Sequence, residues 1–260
     1  MWVINMVKLL LKDIGDELYS SKLTLMIIVC SLYATNQIGM AIHYEISVIE
    51  FIILNLTDIY YVIYGMLLFY LVFVLRLMNK ENLLILTRNR SISVYLKRKI
   101  ISLSLFTIFF VVIHVLISGI IGILNLPSVS GFTETPLSNA FVLVPLDSFR
   151  EIFSCSFTGL FIISCYMIFG LVFFTVCNQV LRLYFNKRVV VILVALIYFS
   201  NLIPLHFEWT FEIPIIFMNY YIMFSPVNTR NILMIVFSFS VTFCLLFLVK
   251  RRWRLKLYEM

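Results

Sequence analysis

Histidine, cysteine and the acids are the side chains that do chemistry, and here they are few. The chain of 260 residues holds 3 His, 5 Cys and 13 Asp+Glu. The cysteines are Cys30, Cys155, Cys165, Cys177 and Cys244, each inside an apolar run and none in a CxxC pair. They read as small hydrophobic fillers rather than disulfides or metal ligands. His114 alone lies deep in an apolar run, with no carboxylate or Cys beside it in sequence, so a hydrogen-bonded packing role is expected. His206, Glu208 and Glu212 cluster near one another, but their spacing is irregular for a metal site. There is no GxxxxGK[ST], so no P-loop holds ATP, and there is no HExxH or GxSxG. The chemistry expected of this chain alone is therefore none: no catalytic residue, no metal, no cofactor.

Composition says what kind of element must carry such a chain. Hydrophobic residues make up 62% and charged residues 13%, and the mean hydropathy is +1.04. An ordinary soluble domain is about half apolar and about a quarter charged. That excess excludes a soluble enzyme, a secreted disulfide scaffold and a disordered chain. The apolar residues come in long runs rather than alternating, which predicts an all-α integral membrane protein and not a barrel.

Six spans are predicted, at Leu23–His43, Ile59–Leu75, Ile100–Ile123, Phe153–Cys177, Val189–Leu205 and Ile232–Val249; none holds Asp, Glu, Lys or Arg. The second and fifth are short but have apolar flanks. With both termini in the cytoplasm, 18 of the 20 basic residues fall inside, and only Arg150 and Arg230 fall outside. Eight of the 13 acids, Glu50 among them, lie in the outer loops. This is the positive-inside pattern, and adding or losing a span would spoil it. The net charge of +7 thus belongs to membrane flanks, not to nucleic acid. The absence of charge within the spans argues against a proton-coupled transporter or a voltage sensor. Ser118 and Gly122, and Cys155 and Gly159, are small residues four apart that mark helix-packing faces.

Three pieces lie outside the spans of this single domain, 1–260. Residues 1–22 place Val3, Met6, Val7, Leu10 and Ile14 at helical spacing, with Lys8, Lys12, Asp13, Asp16 and Glu17 mostly elsewhere on the wheel. They predict an amphipathic helix in the cytoplasmic interface; the alternative is a helix packed on the protein's own cytoplasmic face. Residues 77–99 form the longest and most basic cytoplasmic connection. There TRNRS reads as a turn with Asn89 or Ser91 as N-cap, followed by a short helix through Ile92, Val94, Tyr95 and Leu96. A basic anchor on anionic lipid is the alternative role. Residues 206–230 hold an apolar dozen, Ile213–Phe224, too short to span and rich in aromatics. They predict a short outer re-entrant or surface helix.

This order of elements resembles the type-2 ABC exporter permeases, and more closely the small, separately encoded permeases of low-GC Gram-positive bacteria that export, or give immunity to, antimicrobial and amphipathic peptides. The residues that carry the resemblance are LTRNRSISVYLKRKIISL before the third span and the basic stop FLVKRRWRL after the last. Arg90 stands where a glycine or serine is common in that family, and Tyr95 where tryptophan is common. The resemblance implies a permease subunit of the bacterial plasma membrane, without an ATPase site of its own. A separate ATPase dimer, holding the ATP and Mg, would bind beneath two permease chains, identical or paralogous. Loop 77–99 would be the coupling helix, with Arg88, Arg90, Ser91, Ile92 and Tyr95 at the contact. The cargo would be an amphipathic peptide or another hydrophobic molecule, moved by rigid-body switching. The rival from another class is a non-transporting membrane immunity or scaffold protein that binds a peptide or a membrane partner directly.

Overall fold

A computed structural model describes residues 21–58, 61–79, 92–129, 155–185 and 188–196, with Gly15, Gly131, Arg150, Phe153, Cys244 and Phe247 as single positions. Among these residues the chain is helical and contains no strand. Helix α1 is Ser21–His43 and helix α2 is Val48–Thr57. A π-helical segment, Tyr61–Leu67, runs straight into α3, Leu68–Asn79. Helix α4 is Ile92–Asn125 and α5 is Ser156–Tyr184. A further helical stretch occupies 188–196.

Among the described residues three helices are long and apolar enough to cross a membrane: Leu23–His43, Ile100–Asn125 and Ser156–Val176. They coincide with the first, third and fourth spans expected from the sequence. Their outward faces are apolar, with Leu32, Leu124 and Phe161 all more than three-fifths exposed. Hydrocarbon tolerates such a surface and water does not. The second expected span meets the π segment and α3, of which Tyr64–Leu75 is a shorter apolar helix. The fifth is described only over 188–196. Of the sixth only Cys244 and Phe247 are described, and of the N-terminal segment 1–22 only Gly15, Ser21 and Lys22; the 206–230 helix lies outside the described residues.

The structure departs from the sequence reading in the connection between the first two expected spans. Residues 44–58 are no plain outer loop. Helix α1 ends in a turn where Glu45 takes a left-handed φ of 52°. Ile46 N–H donates to Ala41 O and Glu45 N–H to Ile42 O, both at 3.1 Å, so the last carbonyls of α1 are satisfied. Two residues later Ser47 caps α2. Its hydroxyl accepts from Glu50 N–H at 3.3 Å, and the Glu50 carboxylate accepts from Ser47 N–H at 2.9 Å. This reciprocal box satisfies two of the donors that a helix N-terminus leaves orphaned. All ten residues of α2 are buried, Glu50 and Asn55 among them. At about 1.5 Å per residue α2 is about 15 Å long, half the thickness of a hydrocarbon core. It is a buried half-length helix, which a 20-residue criterion passes over.

Gly122 and Gly119 of α4 make room for α2. A Cβ on Gly122 would lie 3.0 Å from Val48 Cγ1 and 3.2 Å from Phe51 Cδ1, and one on Gly119 would lie 3.5 Å from Ile52 Cδ1. Ser118 is buried one turn below Gly122, so this small-residue pair does mark a packing face. In the second pair Gly159 is buried but Cys155 is exposed.

On α3 the aromatics Tyr70 and Phe73 pack against Phe106 and Phe110 of α4, with ring centroids 5.2–6.4 Å apart. The Tyr70 hydroxyl lies 2.7 Å from Thr107 Oγ1, 2.5 Å from Thr175 Oγ1 and 3.1 Å from the Leu171 carbonyl. One phenol therefore ties α3, α4 and α5 together.

Candidate functional site: a buried polar cluster on three elements

His114 sits on α4 with 1% of its surface exposed. Its polar partners come from two other elements, and one is a Cys, which the sequence does not place beside it. Its Nδ1 lies 2.7 Å from Tyr61 Oη and 3.4 Å from Cys30 Sγ. Both groups meet the same ring nitrogen. Cys30 comes from α1, Tyr61 from the first turn of the π segment and His114 from α4. The three groups are brought together from 53 and 84 residues apart.

The local sequence explains how Tyr61 reaches this place. The Asp58 carboxylate accepts from Tyr61 N–H at 2.9 Å, and the Asp58 carbonyl accepts from Val62 N–H at 2.9 Å, which starts the helix. The first seven residues then take the wider π winding, a rare geometry frequently found at functional positions. The Tyr61 ring lies over Gly65, where a Cβ would sit 3.1 Å from Cδ2 and 3.2 Å from Cε2. The ring also stacks on Tyr33 of α1, with centroids 4.3 Å apart and planes 17° apart. The Tyr33 hydroxyl accepts from Gln37 Nε2 at 2.8 Å. The ring of His114 also contacts Phe110, at 4.7 Å between centroids. Its Nε2 is buried with no hydrogen-bond partner among the described residues, and so are both amide atoms of Asn55.

A second buried polar contact lies at the N-terminus of α2. Arg150 Nε donates to Glu50 Oε1 at 2.9 Å, with the side chains 14% and 0% exposed. Ser47 Oγ donates to the Gly131 carbonyl at 2.8 Å, and Val48 N–H to the Ser128 carbonyl at 2.9 Å. Gly131 N–H donates in turn to Ser156 Oγ at 3.4 Å. The start of α2, the chain after α4 and the start of α5 are thus joined in one place. The sequence alone puts Glu50 in an outer loop; in the fold it is a buried, paired carboxylate.

Of the coupling residues expected from the sequence, Ile92 and Tyr95 lie in the first two turns of α4, where the backbone is helical without a break into the span. They are not on a separate short helix. Arg88, Arg90 and Ser91 lie outside the described residues, as do Val3, Met6, Val7, Leu10 and Ile14, the N-cap candidate Asn89, and the trio His206, Glu208 and Glu212. Among the described residues no three His, Cys, Asp or Glu side chains gather as a metal site. Among the described residues Cys30, Cys155, Cys165 and Cys244 are free thiols, Cys30 buried and the other three exposed. A small cleft between α4 and α5, lined by Ile100, Leu103, Ser104, Val172, Thr175 and Val176, offers about 10 Å³ to a water-sized molecule. That is room for one water, not for a peptide.

No sequence signal announces the Cys30–Tyr61–His114 cluster, because its members are spread over three elements. A His within a span is the one hint available, since polar groups at membrane depth are expensive to keep. In comparisons with known proteins, no family model, no curated protein and no solved structure matches the chain.

Proposed function

We propose that this chain is the membrane-spanning permease subunit of an ATP-driven ABC exporter. It sits in the bacterial plasma membrane and acts on an amphipathic or antimicrobial peptide or another hydrophobic cargo. It has six spans with both ends in the cytoplasm, and a separate ATPase dimer supplies the hydrolysis. The observation that carries this reading is the basic segment LTRNRSISVYLKRK and its continuity with the next span. Its last turns belong to α4, whose 34 residues extend for about 50 Å. The apolar span begins at Ile100, so residues 92–99 stand about 12 Å beyond it. Ile92 and Tyr95 are therefore carried by a rigid rod that continues into the span. A push on that end is transmitted along the helix axis to its packing against α2 and α5. This is a direct mechanical route from a partner's closure to the membrane helices. The apolar outward faces of the three long helices and the 18:2 division of basic residues support the membrane placement.

The test is recovery of the partner. An affinity-tagged chain isolated from its native membrane in mild detergent should bring down an ATPase subunit. Ile92→Ala/Tyr95→Ala should lose it. Truncating one anchor residue at an interface costs about 2 kcal/mol or more, or about thirtyfold in association. Normal ATPase recovery and normal export by the double variant would remove the coupling role. Failure to recover any ATPase would favour the non-transporting immunity or scaffold protein.

A further inference from the structure

Within the otherwise apolar outward face of α1 one amide stands in the open. Asn36 is exposed. It makes no hydrogen bond among the described residues, whereas the hydroxyl of its neighbour Thr35 donates to Ser31 O at 2.8 Å. The span Leu23–His43 runs on for seven residues beyond Asn36, so the amide lies about 10 Å inside it. A side chain this short does not reach the interface from there. An unpaired amide in hydrocarbon is costly, and polar side chains at that depth pair with another helix. We propose that α1 packs through this face on α1 of a second copy of the chain, with the two Asn36 amides hydrogen-bonded to each other. The inference does not rest on the permease reading.

The residues around Asn36 have the spacing of a helix pair. Leu25, Leu32, Asn36, Gly39 and His43 are all exposed and follow one another at seven, four, three and four residues. That is the seam of two helices packed in a left-handed pair. A Cβ on Gly39 would meet nothing within 4 Å, so the backbone there is open to close approach one turn from the amide. Helix α4 supplies the contrast. Between Ile101 and Leu124 every exposed residue of α4 is Ile, Leu or Val, which is what a face left to lipid carries. Of the three long helices α1 is also the least buried.

Symmetry selects a second copy as the occupant. Two copies insert in the same orientation, so a two-fold axis along the membrane normal sets the two α1 helices parallel. Each seam residue then meets its own equivalent at the same depth. A carboxamide is its own complement, with N–H groups that donate and an oxygen that accepts. Two Asn36 side chains across the axis therefore satisfy one another without any third residue. A single Asn in a seam also fixes the register of a parallel pair, because sliding either helix strands both amides.

The experiment uses the full chain in liposomes, without native thiols and with no ATPase present. Chains labelled at an added Met260→Cys with a donor or an acceptor dye are mixed, and energy transfer is followed as lipid is added. A dimer that dissociates on dilution is expected. Asn36→Leu and Gly39→Leu should each weaken association about tenfold or more, the scale of one interhelical hydrogen bond or close contact in a membrane. Asn36→Gln, which keeps the amide, should weaken it by no more than about threefold, and Leu116→Ala on α4 should leave it unchanged. A parent chain that stays monomeric overturns the interface, and association unchanged in Asn36→Leu overturns the amide pair. Should a variant fail to insert, oxidation of single-cysteine chains with copper phenanthroline decides. Cross-linked dimer from Asn36→Cys in clear excess over Leu116→Cys supports the interface, and an equal or smaller yield overturns it.

Discussion

Replacing Arg150 by glutamine tests whether the start of α2 is held by charge. The Glu50 carboxylate is fully buried, and Arg150 Nε reaches it at 2.9 Å. Removing one partner of a buried pair strands the other, at a cost of about 3–5 kcal/mol. Arg150 is 14% exposed, so water reaches its end of the pair and the lower figure applies. Arg150→Gln should therefore cost about 3 kcal/mol, or about a hundredfold in the folding equilibrium. Glu50→Gln keeps an oxygen for the Ser47 N–H and leaves the partly hydrated cation, so its cost should be about 1–2 kcal/mol. The double variant buries two neutral amides and strands no charge. It should be more stable than the sum of the singles by about 2 kcal/mol. The assay is reversible unfolding in mixed micelles with increasing denaturing detergent, followed by circular dichroism, for all four chains. Additivity within about 0.5 kcal/mol would show that the two side chains do not act as a pair. A loss below about 0.5 kcal/mol in Arg150→Gln would show that α2 is not held by this contact.

Tyr70→Phe removes a hydroxyl placed among Thr107, Thr175 and the Leu171 carbonyl, yet both threonines keep bonds to their own helices, at 2.8 Å to Leu103 O and 2.9 Å to Leu171 O. No group is stranded, so the same unfolding assay should read a loss of about 1 kcal/mol, and a loss above about 3 kcal/mol would contradict that view of the core. Topology is checked by single-cysteine labelling on a background without native thiols. Val129→Cys and Glu134→Cys should react from outside, whereas Arg90→Cys and Lys256→Cys should react only after the membrane is breached. Val129 is 58% exposed and suits this test, whereas Glu50, on the outer side by sequence, is buried and does not.

Helical class and the three long apolar helices are legible in the sequence because the signal is local and additive. Each apolar side chain adds its own transfer free energy, and a run of about 20 sums to a span whatever the rest of the chain does. The stretch Ile100–Asn125 announces itself in this way. Val48–Thr57 does not, because ten residues with Glu50 and Asn55 among them sum to nothing decisive. Its identity as a buried helix depends on partners: Gly122 and Gly119 on α4 to receive it and Arg150 to neutralise its carboxylate. The same limit hides the Cys30–Tyr61–His114 cluster. Sequence shows each as one polar residue in an apolar run and says nothing of its partners. Distances of 2.7 and 3.4 Å between groups 53 and 84 residues apart are decided by helix packing and by the π winding at Tyr61. Composition and periodicity specify that these segments are helices in a membrane; the tertiary structure decides which of their few polar groups meet, because that depends on the rotation and depth at which the helices pack.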